Sequence, residues 1–228
     1  MTKKPPINKG QRQLHVNVKT AGRRKISSTL WLSRQLNDPY VLQAKKDGYR
    51  SRSAYKLIEI DDKFHILHGG SVIIDLGAAP GGWSQVCSQR VKKGTIIGID
   101  LQAMEPIPGV TLFQHDFMAD DAPALLEKEL GGKKANVVLS DMAAAACGHT
   151  QTDHIRIMAL CETALDFAIN NLEKGGVFVT KMLKGGTEQE LLALIKRHFK
   201  IVKHFKPNSS RKDSAETFLV ATGFKGKK

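Results

Sequence analysis

Val72-Ile73-Ile74-Asp75-Leu76-Gly77-Ala78-Ala79-Pro80-Gly81-Gly82-Trp83-Ser84 is the stretch around which the rest of the chain arranges itself. Three β-branched residues followed by a carboxylate read as a short buried strand, Val72–Asp75. A loop of small residues comes next, and Trp83-Ser84-Gln85-Val86 opens a helical pattern. Strand, glycine loop and helix form the first half of a nucleotide-binding βαβ unit. Glycine lets a ligand lie against bare backbone, and a new helix presents unpaired N–H groups.

The spacing is not that of a dinucleotide site, because G-x-G-x-x-G is missing. The glycines stand at 77, 81 and 82, with Pro80 stiffening the turn and Asp75 just before it. An acid beside such a loop suits a ligand with a positive centre and free hydroxyls. S-adenosylmethionine fits, since it carries a sulfonium, an ammonium and a ribose but no phosphate. The rival reading is a tight turn in some other α/β domain.

The remaining composition sets bounds. The 228 residues, 41% of them hydrophobic, suffice for one α/β domain with a buried core. Net charge is +13, and residues 1–37 hold nine Lys or Arg with no Asp or Glu. A basic surface of this size points to a polyanion, nucleic acid above all, with a solubilising tail as the bland alternative. Three cysteines without a C-x-x-C pair predict neither a disulfide framework nor a zinc site. His149 and His154 are five apart, a poor ligand spacing, so no metal is assigned. There is no apolar run of transmembrane length and no secretory signal, so a cytoplasmic protein that does not engage membranes is expected.

In chain order, residues 1–27 lack periodicity and read as a basic arm, disordered until a partner binds. Ser27-Ser28-Thr29 would cap a helix running to Ala44, interrupted at Asp38-Pro39. A second helix is predicted over Ser51–Phe64. Strands then alternate with helices. The predicted strands are Val72–Asp75, Thr95–Asp100, Val110–Asp116, Asn136–Asp141, Gly176–Met182, Ile201–Phe205 and Thr217–Thr222. The helices fall at Trp83–Val91, Ala122–Leu130, His154–Leu172 and Thr187–Phe199, with Gly185-Gly186 as punctuation before the last. This pattern predicts a doubly wound, mostly parallel, seven-stranded sheet with an antiparallel pair at one edge.

Ligands of such sheets sit beyond the carboxyl ends of the strands. Asp75, Asp100, Asp116, Asp141 and Lys181 all fall at strand ends in this reading, too many for turn chemistry alone. Asp100 follows Asp75 by 25 residues, close to the spacing at which an acid meets a cofactor's ribose hydroxyls.

Five motifs also resemble a known family. They are Arg50-Ser51-Arg52-Ser53-Ala54-Tyr55-Lys56-Leu57, Asp75 through Gln85, Ser140-Asp141-Met142-Ala143, Val179-Thr180-Lys181 and Ser214-Ala215-Glu216-Thr217. In this order and spacing they resemble the FtsJ/RrmJ ribosomal RNA 2′-O-methyltransferases, and within them the bacterial large-subunit (23S) branch, RlmE, over about residues 28–224. The resemblance implies a Rossmann-like class I S-adenosylmethionine-dependent methyltransferase, with residues 28–228 as a single domain. It implies a catalytic tetrad at Lys56, Asp141, Lys181 and Glu216, and cofactor contacts at Gly81, Trp83, Asp100, Asp116 and Asp141. Asp75, Gly77, Pro80 and Gly82 complete the cofactor turn. The implied substrate is a uridine 2′-hydroxyl in the A-loop of 23S rRNA, on the assembled large subunit. One departure stands out: family members usually continue Ser-Asp-Met-Ala with a Pro-Asn-type pair, where this chain has Ala144-Ala145-Ala146-Cys147.

Methyl transfer from a sulfonium is an in-line displacement that needs alignment, proton removal and no metal. An ordinary lysine is protonated at neutral pH, and a second cation nearby disfavours that form. Lys181 is therefore expected as general base, with Lys56 as its neighbouring cation. Asp141 would orient Lys181, and Glu216 would position the lysines or the substrate. Trp83 is expected to pack partly under the cofactor and partly in the core. Arg50, Arg52, Ser210 and Arg211 are expected to contact RNA phosphates around a flipped-out nucleotide. A monomer is expected. The competing readings are a nicotinamide dehydrogenase, a cap or tRNA 2′-O-methyltransferase, and a ribosome-assembly factor that has lost catalysis.

Overall fold

The computed structural model describes residues 16–23, 25–144, 148–183, 188–211 and 213–227. Most of the basic arm, the Ala145-Ala146-Cys147 part of the divergent loop, Gly185-Gly186, Thr187 and Lys212 lie outside the described residues. Contacts divide the chain into two compact units at Gly48/Tyr49.

The first unit holds a short 3-10 turn, Ala21–Arg23, and helices α1 (Ile26–Leu36) and α2 (Pro39–Asp47). The expected break at Asp38-Pro39 is there. Asp38 caps α2 by accepting from the Tyr40 N–H at 3.0 Å, and Pro39 occupies the first turn, where its missing N–H costs nothing. The expected Ser27-Ser28-Thr29 cap is not used. Helix α1 starts earlier, at Ile26, with Lys25 as a cap residue that makes no side-chain bond. Asn37 ends α1 by donating to the Ser33 carbonyl at 2.8 Å and exchanging two hydrogen bonds with the backbone of Val16.

The second unit is the seven-stranded sheet. Its strands are β1 (Val72–Leu76), β2 (Thr95–Asp100), β3 (Thr111–Gln114), β4 (Ala135–Ser140), β5 (Leu172–Leu183), β6 (Phe199–Phe205) and β7 (Glu216–Phe224). They lie in the order β3-β2-β1-β4-β5-β7-β6. β7 inserts between β5 and β6 and runs antiparallel to each, while the other pairs are parallel. Helices α3 (Ala54–Phe64) and α4 (Gly82–Arg90) cover one face. The other face packs against α5 (Ala122–Leu130), α6 (Thr150–Asn171) and α7 (Glu188–His198).

Most boundaries shift by a residue or more, and α6 begins four residues before the expected His154, at Thr150. β3 stops at Gln114, so Asp116 lies two residues beyond its end. β5 begins at Leu172 and bulges at once: the pairing with β4 passes from Ala135–Leu172 to Val137–Val177, and Gly175, at φ +91°, lies within the bulge.

The sheet's two-residue period decides where the polar side chains go. Ile73, Val137, Leu139, Val179, Phe218 and Val220 are buried under α3 and α4. Asp75, Asp141, Lys181 and Glu216 are in step with them, so all four emerge on that same side near the carboxyl ends of β1, β4 and β5. β7 runs the other way and contributes its first residue, and Glu216 pairs in register with Leu183 while Phe218 pairs with Lys181.

Candidate active site

Lys56 comes from the first turn of α3, whose Ala54, Leu57 and Ile60 are fully buried. That packing turns Lys56 toward the β5–β7 rim. Its Nζ donates to Glu216 Oε2 at 2.8 Å, lies 3.8 Å from Asp141 Oδ2, and sits 5.5 Å from the centre of the Phe218 ring. Lys181 Nζ donates to the Asp141 main-chain carbonyl at 2.5 Å and to Asp141 Oδ1 at 2.9 Å. The four side chains expected to act together are therefore one connected network. They are only 9–15% exposed, a setting in which ion pairs are screened less than at the surface. Two lysine side chains thus face two acidic side chains within one network.

Asp141 is placed by a close approach. Gly77 has φ +75°, and a Cβ built there would lie 2.6 Å from Met142 Cγ and 3.0 Å from Met142 Cα. The segment after β4 thus crosses directly over the turn after β1. The other glycines of that turn follow the same logic. A Cβ at Gly81 would meet Ile107 and Arg50, and one at Gly82 would meet Ser51 and Ser53. At each of these glycines, side chains or backbone of another segment occupy the place a Cβ would take. Helix α4 opens from Gly81, at φ +107°. The peptide before Pro80 is cis.

The acids divide into two kinds. Asp75 is fully buried and accepts from Ser84 Oγ at 2.6 Å, while its Oδ1 has no partner. Burial pushes its carboxyl up to about 7, the Ser84 hydrogen bond opposes this, and the nearby Asp141 and Asp100 add to it. Asp100 is partly exposed at the end of β2 and accepts from the N–H of Ala79 at 3.0 Å and of Gln102 at 2.8 Å. A carboxylate with one bond per oxygen keeps lone pairs for hydroxyl donors. Asp116 is exposed and accepts from the Met118 N–H at 2.9 Å. Asp100 and Asp116 can accept from ribose hydroxyls and an ammonium, and the N–H groups at the start of α4 suit a carboxylate, so the residues present fit S-adenosylmethionine.

Trp83 is 2% exposed, donates through Nε1 to the Ser53 carbonyl at 2.9 Å and packs on Phe218 at 5.5 Å. Its ring is core. Arg50, Arg52 and Ser210, all expected to face RNA, bond to the protein itself. Arg50 donates to the carbonyls of Glu105 at 2.6 Å, Pro106 at 2.8 Å and Pro80 at 3.5 Å, which ties the loop after β2 to the Gly77–Trp83 turn. Arg52 donates to the Ser209 carbonyl. Ser210 is 5% exposed and donates to Glu216 Oε1 at 2.9 Å. Arg211 is half-buried beside them. Sequence reasoning missed Glu59, which accepts from the N–H groups of Asn208 at 2.6 Å and Ser209 at 2.9 Å. An acid one helical turn from Lys56 was the available signal. Among the described residues no group of three potential metal ligands clusters, and no helix is long and apolar enough to cross a membrane.

Fold and site define a class I methyltransferase: a 3-2-1-4-5-7-6 sheet with an acid-lined rim and a lysine–carboxylate network at the same rim. The comparisons with known proteins narrow this. The model of the FtsJ-like methyltransferase family matches residues 49–224, and the chain belongs to that family. A Cereibacter sphaeroides protein named ribosomal RNA large subunit methyltransferase E is 56% identical over 236 residues, spanning 100% of this chain and 96% of that one. The Erythrobacter litoralis protein of the same name is 61% identical over 210 residues, or 92% of this chain and 95% of that one. A solved structure from Plasmodium falciparum, assigned as a ribosomal RNA methyltransferase, superposes with a TM-score of 0.72 at 35% identity. It covers 78% of this chain and 100% of its own.

Proposed function

We propose that the protein methylates the 2′-hydroxyl of a uridine in the A-loop of 23S rRNA, on the large ribosomal subunit in the cytoplasm, using S-adenosylmethionine. The observation that carries this reading is the meeting of Lys56, Asp141, Lys181 and Glu216 beside the Gly77–Trp83 turn. The names of the relatives support the substrate class.

Bound S-adenosylmethionine supplies a methyl group on a sulfonium, an electrophile that needs no metal to activate it. The backbone of Gly77, Pro80, Gly81 and Gly82, with Asp100 and Asp116, would hold the nucleoside. Asp141, which holds Lys181, would lie on the sulfonium side of the bound nucleoside. Lys181 removes the hydroxyl proton. A neutral amine has two N–H groups and one lone pair, and the two donors are both taken up by Asp141, through its carbonyl and its carboxylate. The lone pair is left to point at a 2′-hydroxyl. Lys56, held by Glu216, steadies the hydroxyl oxygen as the proton leaves. Proton transfer by a placed group contributes about 10²–10⁴-fold, and alignment can supply more. Arg211 and the basic residues of 1–27 would meet RNA phosphates, and the protein works as a monomer.

Mapping 2′-O-methylation on large-subunit RNA from cells lacking the protein tests this reading. One A-loop uridine loses its methyl group and regains it when the intact protein is restored. An unchanged map would overturn the assignment.

A further inference from the structure

Lys56 and Glu216 are long side chains, and holding each in one geometry has an entropic cost. The β6–β7 loop supplies the restraint. The backbone of Ser209 is held on both sides of its Cα: Glu59 accepts from its N–H at 2.9 Å, and Arg52 donates to its carbonyl. Glu59 also accepts from the Asn208 N–H at 2.6 Å. The next residue, Ser210, donates to Glu216 Oε1, and Glu216 Oε2 accepts from Lys56. Glu59 lies one turn after Lys56 on α3, and Arg52 one turn before it, where the chain enters the helix. The contacts close into a ring that leaves α3 at Glu59, runs through the loop to Glu216 and returns to α3 at Lys56.

We propose that Glu59 is a positioning residue for the methyl transfer. Its carboxylate anchors the β6–β7 loop so that Ser210 holds Glu216 in the one orientation that pairs with Lys56. A carboxylate accepting two backbone N–H groups makes charge-assisted bonds, stronger than neutral ones, so it fixes the loop more firmly than packing alone. The inference rests on the reading of the site given above.

The test uses the full-length protein, S-adenosylmethionine and large subunits isolated from cells lacking the protein. Glu59→Ala lowers kcat about ten- to a hundredfold, the range for a misplaced reacting group, while KM for the cofactor stays within about twofold. Glu59→Gln, which keeps one acceptor oxygen but sets an amide N–H₂ against the second backbone N–H, restores only part of kcat. Ser210→Ala, which removes only the hydroxyl that meets Glu216, reproduces the kcat defect with normal folding by circular dichroism, and it decides the matter should Glu59→Ala fail to fold. If kcat is unchanged in Ser210→Ala or in folded Glu59→Ala while Lys181→Ala is inactive, the positioning role is overturned and the catalytic reading stands. Turnover by Lys181→Ala would overturn the reading itself.

Discussion

Asp75 shows how one side chain can serve the fold at a cost that depends on pH. Its carboxyl is sealed beneath the cofactor turn and bonded to Ser84, and burial raises it to about 7 from an ordinary 3.8. The folded state therefore holds this proton more tightly than the unfolded chain does. The contribution to stability is fully present below about pH 4 and is lost as pH rises through 7, amounting to on the order of 4 kcal/mol. Urea denaturation at pH 5 and pH 8 checks this: Asp75→Asn removes most of the fall that the unmodified protein shows, and equal falls in both proteins would contradict it. The rim acids were legible as residues, but the split between buried Asp75 and hydroxyl-ready Asp100 was not. Strand-end position is the same for the two, and only the depth of the turn separates them.

At the scale of elements, the crossing of the Asp141-Met142 segment over Gly77 links the cofactor turn to the lysine network. Gly77→Ala adds a Cβ into Met142 at a positive φ. It destabilises the protein by about 2–4 kcal/mol and slows single-turnover transfer at least about tenfold, because Asp141 must move. Wild-type transfer by the folded variant would show that the crossing does not position Asp141. Alternation of strands and helices gave the sheet class and the antiparallel pair directly. The shortened β3 and the long β5 were hidden, because Asp116 looks like a strand end and Gly175-Gly176 like a break. Arg50 and Arg52 read as phosphate ligands because charge is visible in sequence, while the carbonyls that accept from them come from loops 30 to 157 residues away.

At the scale of the whole molecule, the charge of +13 is concentrated in part at the amino-terminal end, whose first 37 residues contain no acid. Two of the expected RNA-facing arginines bond to protein carbonyls, so the arm should carry a large share of phosphate contact. Deleting residues 1–25 removes eight Lys or Arg. The log–log salt slope of binding to large subunits then falls by at least about 2, each phosphate contact contributing about 0.7–0.9. An unchanged slope would leave the arm without a role in binding. The tetrad was legible because its members sit in motifs, and strand period and helix packing explain why residues up to 160 positions apart meet.

Single-turnover methyl transfer to unmodified large subunits by Lys181→Ala, with cofactor affinity measured by calorimetry on the same protein, is the most direct test of the account. Transfer should drop by about 10³-fold or more while cofactor affinity stays within about threefold. Transfer within about tenfold of the unmodified enzyme would contradict it.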